Sequence, residues 1–219
     1  MSDLLYLLEN EVQIAALSIL VLVYFVRLLW LFRFRPFKER TFPAGDPRRG
    51  AAFSLMNVAM PWAMESTRKR PGFYAQFVIF HLGVATAIGA TFIIPYSPEW
   101  FTLDIIVRLF QIILAAAFGV GIWRLSRRII NPRIRLISSL DDYFSLTLML
   151  LYFAVAFFAV PNDYQRREWP LMLFFGLTAF FLVYVPFSKI SHYLYYPFTR
   201  YFLGRTMGHR GVFGKRERK

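Results

Sequence analysis

The chain has 219 residues, 57% of them hydrophobic and 19% aromatic, with 26 Lys and Arg against 13 Asp and Glu. It has no cysteine, which excludes disulfides, covalently attached c-type haem and any iron–sulfur cluster ligated by its own thiolates. The formal charge of +13 falls between long apolar runs, a distribution that membrane topology explains and a nucleic-acid footprint does not.

The opening residues, MSDLLYLLENE, are acidic where a signal peptide is basic, and no small-residue cleavage site follows the first apolar run. That run is therefore expected to remain as a transmembrane helix. A bilayer core of about 30 Å takes ~20 helical residues, and five runs qualify, at 12–32, 74–95, 105–125, 143–160 and 170–196, the last with a bend at Pro186. The runs are continuously apolar rather than alternating, which argues against a β-barrel. The expected fold is an all-α bundle of five transmembrane helices. Residues 1–219 form a single integral membrane domain without internal repeat or low-complexity tract.

The connecting segments set a direction. The stretch from 33 to 74 carries nine Lys or Arg residues, the loop from 124 to 140 carries five and no acid, and the tail after Pro197 carries seven. The first residues hold Asp3, Glu9 and Glu11 and no base, the turn PYSPEWFTLD holds only acids, and the loop PNDYQRREWP is mixed. The positive-inside rule then places the N-terminus outside and the C-terminus in the cytoplasm. Residues 33–73 are too long for a mere connection. Phe53, Leu55, Met56, Val58, Met60 and Trp62 there suit a short amphipathic helix on the inner membrane surface, near anionic lipid. The same basic face, with the 198–219 tail, also suits docking of a cytoplasmic subunit.

Three histidines remain to be placed. His81 lies inside the second span (FVIFHLGVATAIG), and His192 lies at the far end of the fifth (VYVPFSKISHYLYYPFTR). A ligating side chain at membrane depth is costly and marks a pathway or a cofactor. By the expected topology both lie toward the cytoplasm, as the two axial ligands of one b-type haem require. At ~1.5 Å per residue, His81 sits about 21 Å below Pro95 and His192 about 33 Å below Pro170, a mismatch that either helix tilt or a fifth helix starting above the bilayer would absorb. Gly83 and Gly89, with Ala85, Ala87 and Ala90, thin the second span so that a flat macrocycle or a helix can approach. Lys189, Arg200 and Arg27 are candidates to pair with haem propionates, the competing role being snorkelling to the interface. Taken singly, His81 reads better as a hydrogen bond to a neighbouring helix and His192 as an interfacial side chain; taken together on matching sides, the pair favours the ligand reading. His209 falls in the polar tail (TMGHRGVFGKRERK), where a solvated or partner-facing residue is expected. No nucleophile–base pair or hydrolase metal spacing is visible.

The pattern resembles the cytochrome b (gamma) subunit of respiratory nitrate reductase and the related membrane subunits of heterodisulfide-reductase-like and sulfite-reductase-associated complexes. The resemblance rests on five spans, on IFHLGV in the second, and on FSKISHYLYYPFTR at the end of the fifth, and it covers most of spans two to five. The nitrate reductase subunit holds two haems, each between its second and fifth helices. Here the ligand positions expected for the second haem carry Thr91 and a residue near Phe174, so the resemblance implies one haem b, on the inner side, held by His81 and His192. It also implies a respiratory subunit of the prokaryotic cytoplasmic membrane. Such a subunit relays electrons between menaquinone or ubiquinone and a cytoplasmic iron–sulfur or flavin subunit, with the quinone bound near the inner haem. The alternative is a haem-free anchor that tethers a soluble redox complex. A transporter is disfavoured by the lack of an inverted repeat.

Overall fold

The computed structural model describes residues 1–34, 39–57, 60, 62 and 65–212, and every regular element among them is helical. In chain order the helices are α1 (Asp3–Glu9), α2 (Glu11–Arg33), α3 (Pro47–Met56), α4 (Glu65–Lys69) and α5 (Pro71–Tyr96). They continue as α6 (Asp104–Ile130), α7 (Pro132–Leu136), α8 (Leu140–Ala159), α9 (Trp169–Tyr184) and α10 (His192–His209). Five stretches are long and apolar enough to cross a membrane: α1 with α2, then α5, α6, α8, and α9 extended to Phe187. Their outer surfaces expose Ile14, Leu22, Phe92, Ile105 and Ile112, which hydrocarbon accommodates and water does not.

The chain divides into two compact units, Met1–Phe25 with Ala75–Lys189, and Val26–Tyr74 with Ile190–Lys219. The first unit is built on close helix approach. A Cβ on Gly83 would collide with Ala117 of α6, and one on Gly121 would meet Leu150 Cδ2 of α8 at 2.5 Å. Small residues at such crossings let backbones come together in a membrane, where packing rather than water exclusion holds helices. Phe80 of α5 meets Phe153 of α8 edge-on at 5.2 Å, and Tyr152 of α8 stacks on Phe174 of α9 at 5.4 Å. Polar side chains at depth close onto neighbours. Gln13 Nε2 donates to Phe175 O at 2.7 Å, Gln111 Nε2 to Phe157 O at 3.1 Å, and Tyr152 and Thr178 share a 3.1 Å hydrogen bond. At the start of α9, Ser2 N–H donates to Glu168 Oε1, and hydrogen bonding from Ser2, its side chain foremost, with the N-terminal charge holds the Glu168 carboxyl below the usual carboxylate range.

The second unit is dominated by an antiparallel pair, α3 on α10. Asp46 caps α3, its carboxylate accepting from Arg48 N–H at 2.8 Å, and Pro47 occupies the first turn. The face presented to α10 is Gly50, Ala51 and Ser54, against Gly204 and Gly208. A Cβ on Gly204 would lie 2.5 Å from Gly50 O, and one on Gly208 would lie 2.5 Å from Asp46 O. The stretch 39–46 wraps the end of α10. Ala44 N–H donates to His209 O at 2.8 Å, and the Arg210 guanidinium donates to Glu39 Oε2 at 3.0 and 3.1 Å. Gly211 adopts φ of 70° beside Ala44, a left-handed turn that glycine takes without steric cost.

That guanidinium holds the Glu39 carboxyl below its ordinary range. A lowered folded-state pKa contributes stability above the unfolded value and loses it as pH falls through the lowered one. Amide exchange at Ala44 is therefore expected to accelerate only on acidification below the usual glutamate range. Glu39→Gln should remove that acid dependence.

Three sequence expectations change in detail. The apolar run at 53–62 is not one amphipathic helix. α3 ends at Met56 and turns its small-residue face inward, leaving Phe53, Leu55 and Met56 outward with Trp62; Met60 is half-buried, and Val58 lies outside the described residues. The fifth run does not extend helically to 196. Pro186 lacks an N–H and ends the ladder; a 3₁₀ turn at Val185–Phe187, extended Ser188 (φ −107°, ψ 172°) and a second turn at Lys189–Ser191 follow. His192 thus opens a new helix, and a depth counted along one continuous helix from Pro170 does not apply to it. Residues 198–209 form the body of α10 instead of a polar tail, and 213–219 lie outside the described residues.

Candidate functional site

His81 stands in mid-α5 on its exposed side. Its Nδ1 lies 2.8 Å from Phe77 O, one turn back. A carbonyl oxygen only accepts, so Nδ1 carries the proton and the Nε2 lone pair points away from the helix backbone. Fixing the tautomer of a histidine through its other nitrogen is how axial ligands are oriented and made more basic. The Phe77 ring packs on the imidazole at a centroid distance of 4.0 Å, which restricts its rotation further.

The small residues of α5 divide by face. Gly83, Ala87 and Ala90 are buried, and Gly83 is spent on the α6 contact. Ala85 and Gly89 continue the His81 column at i+4 and i+8. Ala85 is exposed, and nothing lies within 4 Å of a Cβ built on Gly89. No side chain larger than a methyl group therefore stands in that column for two turns beyond His81.

His192 is the first residue of α10 and is exposed, with the Tyr193 ring edge-on at 6.5 Å. It belongs to the second unit and His81 to the first.

The three basic candidates are each engaged. Arg27 places its guanidinium 6.0 Å from the Tyr195 ring centroid, a cation–π distance. Arg200 donates from Nε and Nη2 to Ser54 O at 3.1 and 3.0 Å, closing a carbonyl near the end of α3. Lys189 Nζ binds Asp142 Oδ2 at 2.9 Å and Ser139 Oγ at 2.7 Å. His209 is half-buried, with Nε2 donating to Thr41 O at 2.8 Å.

The positions expected to carry ligands of a second haem are differently employed. Phe174 is fully buried in the Tyr152 stack, and Thr91 Oγ1 donates to Ile88 O at 2.7 Å. Among the described residues no group of three or more His, Asp or Glu is placed to hold a bare metal ion.

Sequence reasoning passed over a polar cluster at the start of α8. Tyr184 OH donates to Asp141 Oδ1 at 2.7 Å and lies 3.0 Å from Ser145 Oγ. Asp142 Oδ2 accepts from Ser139 N–H at 2.8 Å and from its hydroxyl at 2.9 Å. The signal was present as Ser139-x-x-Asp142, a helix-start signature ahead of an apolar run. No protein-family model matches the chain, and no curated protein matches it.

Proposed function

We propose that this chain is the membrane cytochrome b subunit of a prokaryotic respiratory oxidoreductase, resembling the gamma subunit of nitrate reductase. It relays electrons between menaquinone or ubiquinone and an iron–sulfur or flavin subunit docked on its cytoplasmic side. It holds one haem b, with His81 and His192 as axial ligands. When bound, that group supplies one-electron transfer, and the protein supplies orientation and electrostatics.

The observation that supports the reading is the His81 Nδ1 contact with Phe77 O at 2.8 Å, which makes Nδ1 the protonated nitrogen and Nε2 the one that carries a lone pair, as an axial ligand requires. Buried Phe174 supports one haem in place of two, because the volume at that position is already filled by protein. Arg27, Lys189 and Arg200 remain the proposed partners of haem propionates, which would have to compete with the contacts these side chains already make to Tyr195, Asp142 and Ser54 O.

The direct test is a pyridine haemochrome assay with a reduced-minus-oxidised spectrum of the purified chain. One haem b per chain is the expected result. A haem-free chain would leave only the tether reading.

Charge asymmetry places Met1 outside and the end of α10 in the cytoplasm. Reporter fusions at Met1 and Lys219 are expected to report opposite sides, and a tail found outside would reverse the assignment.

The basic inner face, which includes the 124–140 loop, would steer an acidic partner in a salt-dependent manner. Arg133 and Arg135 are exposed, whereas Arg128 Nη1 donates to Ser138 Oγ at 2.8 Å and braces the α6–α7 turn. Neutralising Arg133 and Arg135 is expected to weaken co-purification of soluble subunits and to make what remains less sensitive to salt, while membrane insertion is retained. Unchanged association would leave these arginines with a topological role alone.

A further inference from the structure

The spans α6 and α8 are joined by residues 131–139, too few to carry the chain away from the membrane edge. At 1.5 Å per residue the 20 residues of α8 reach about 30 Å, the thickness of the hydrocarbon core, so Leu140 at its start stands at the boundary. The 27 residues of α6 reach about 40 Å, and its last turns carry Arg124, Arg127 and Arg128. The short helix α7 between them carries Arg133 and Arg135, and no acid falls between 124 and 140.

The aliphatic side chains of this connection project free of the protein. Ile130, Leu136, Ile137 and Leu140 are 77, 86, 82 and 88% exposed, the four highest values for a large aliphatic side chain among the described residues. Within the spans an outward residue such as Ile112, at 66%, is partly covered by its helical neighbours. We propose that the α6–α8 connection is a membrane-interfacial element, seating Leu136, Ile137 and Leu140 in the acyl boundary of an anionic leaflet with Arg133 and Arg135 at its headgroups. The inference does not need the redox reading, and it goes beyond the docking one: Arg133 and Arg135 then meet any acidic partner from headgroup level.

Water around such a cluster is unfavourable, yet the connection is braced in the protruding form. Asn131 caps α7, its side-chain oxygen accepting from Arg133 N–H at 3.0 Å and Ile134 N–H at 3.4 Å, with Pro132 in the first turn. Arg128 Nη1 donates to Ser138 Oγ, Ser138 Oγ donates to Ile134 O at 2.7 Å, and Tyr143 OH donates to Arg128 O at 3.2 Å. These bonds close the polar groups of the connection on one another and leave the aliphatic ones outward.

Bases beside outward apolar residues suit an anionic leaflet, where the apolar part enters the acyl boundary and the charge stays among headgroups. The first acids beyond the connection are already engaged. Asp142 is 18% exposed and holds the Lys189 ammonium at 2.9 Å, and Asp141 accepts from the Tyr184 hydroxyl at 2.7 Å. A soluble subunit would cover the aliphatic residues only when bound. α8 has no length to spare, and it brings Leu140 to the hydrocarbon with or without a partner.

The chain has no cysteine, so single nitroxide labels can be placed through Leu136→Cys, Ile137→Cys and Leu140→Cys. Gln165→Cys, exposed in the loop before α9, is the water control, and Ile112→Cys in α6 is the hydrocarbon control. The full chain is placed in nanodiscs of phosphatidylcholine, alone or mixed with phosphatidylglycerol, and each label is read for access to oxygen and to a nickel chelate. In the mixed lipid the three labels are expected to resemble Ile112→Cys, and in phosphatidylcholine alone to be more open to nickel. Arg133→Gln with Arg135→Gln should remove that difference. The same pair should lower the phosphatidylglycerol retained by the purified, unlabelled chain by about fivefold for each charge lost. Retained lipid is read without any label, so a label that disturbs the connection does not decide the outcome. Labels as open to nickel as Gln165→Cys in both lipids would overturn the proposal. So would protection that is equal in both lipids, and so would protection that arises only when soluble subunits are added.

Discussion

His81→Ala and His192→Ala are each expected to abolish the b-type spectrum of the purified chain, and His209→Ala is expected to leave it intact. On the proposed ligation each of the first two removes an iron–nitrogen bond, and the sequence has no further histidine to replace it beyond His209. The double variant should be little worse than either single one, since both disable the same centre and their effects do not add. His209 donates to Thr41 O and holds the 39–46 stretch on α10. Its loss should cost about 1 kcal/mol of stability, the net worth of one such hydrogen bond, without touching the absorbance. Full haem retention in either ligand variant would overturn the assignment. So would two haems per chain, because three histidines cannot make two bis-histidine centres. A supporting contrast is Phe77→Ala: the tautomer-setting carbonyl belongs to the backbone and survives, so the spectrum should persist while the imidazole loses its ring neighbour.

The second large effect concerns the glycines of α3 and α10. Gly204→Val and Gly208→Val are expected to separate the two helices. The first added carbon would already sit 2.5 Å from a backbone oxygen in each case, and backbone cannot step aside as a flexible side chain can. Overpacking at such contacts costs about 1–3 kcal/mol, and two further methyl groups place these variants at the upper end. Gly119→Ala in α6 is the control. Nothing lies within 4 Å of its added carbon, so it should be neutral or stabilise by about 0.5–1 kcal/mol through lower backbone entropy. The measurement is protease sensitivity of the α3–α10 pair together with amide exchange at Ala44. Equal behaviour of Gly204→Val and Gly119→Ala would show that the close approach is not what holds the pair.

The five spans were legible because their signal is length: each apolar run is near or above the bilayer requirement, and no tertiary information is needed to see it. Their ends were less so. The third span was read to 125, yet α6 runs on to Ile130, because Arg127 and Arg128 in a last turn favour the carbonyl end of the helix instead of terminating it. α10 was illegible as a packed helix. Its residues show no apolar period, and what holds it is contact with α3 at Gly204 and Gly208, which a single sequence does not reveal. The histidines could be singled out because polar groups at membrane depth are rare. The tautomer of His81 could not, since every helical residue has a carbonyl four positions before it and only the rotamer decides whether it is used. Lys189 shows the opposite failure. Its charge drew it toward a propionate, whereas its ammonium meets Asp142 and Ser139, residues about fifty positions earlier in the chain.

The aromatic stack of Tyr152 on Phe174 has a consequence for anyone wishing to add a further haem centre, beyond the one proposed, to this scaffold. Writing histidines at 91 and 174 would supply donor atoms and nothing else. Phe174 is wholly enclosed, pressed face to face on Tyr152 and edge-on to Phe175, and Tyr152 is itself tied to Thr178. An imidazole would fit the vacated ring, but a macrocycle many times that volume would have to displace close-packed side chains from both α8 and α9. Grafting a second centre is therefore a problem of excavation before it is one of coordination. Carving the stack to alanine would open room at a cost of about 3–5 kcal/mol for each large aromatic removed. The α8–α9 contact that would have to bear this cost also carries Tyr184 and Asp141 at its opposite end.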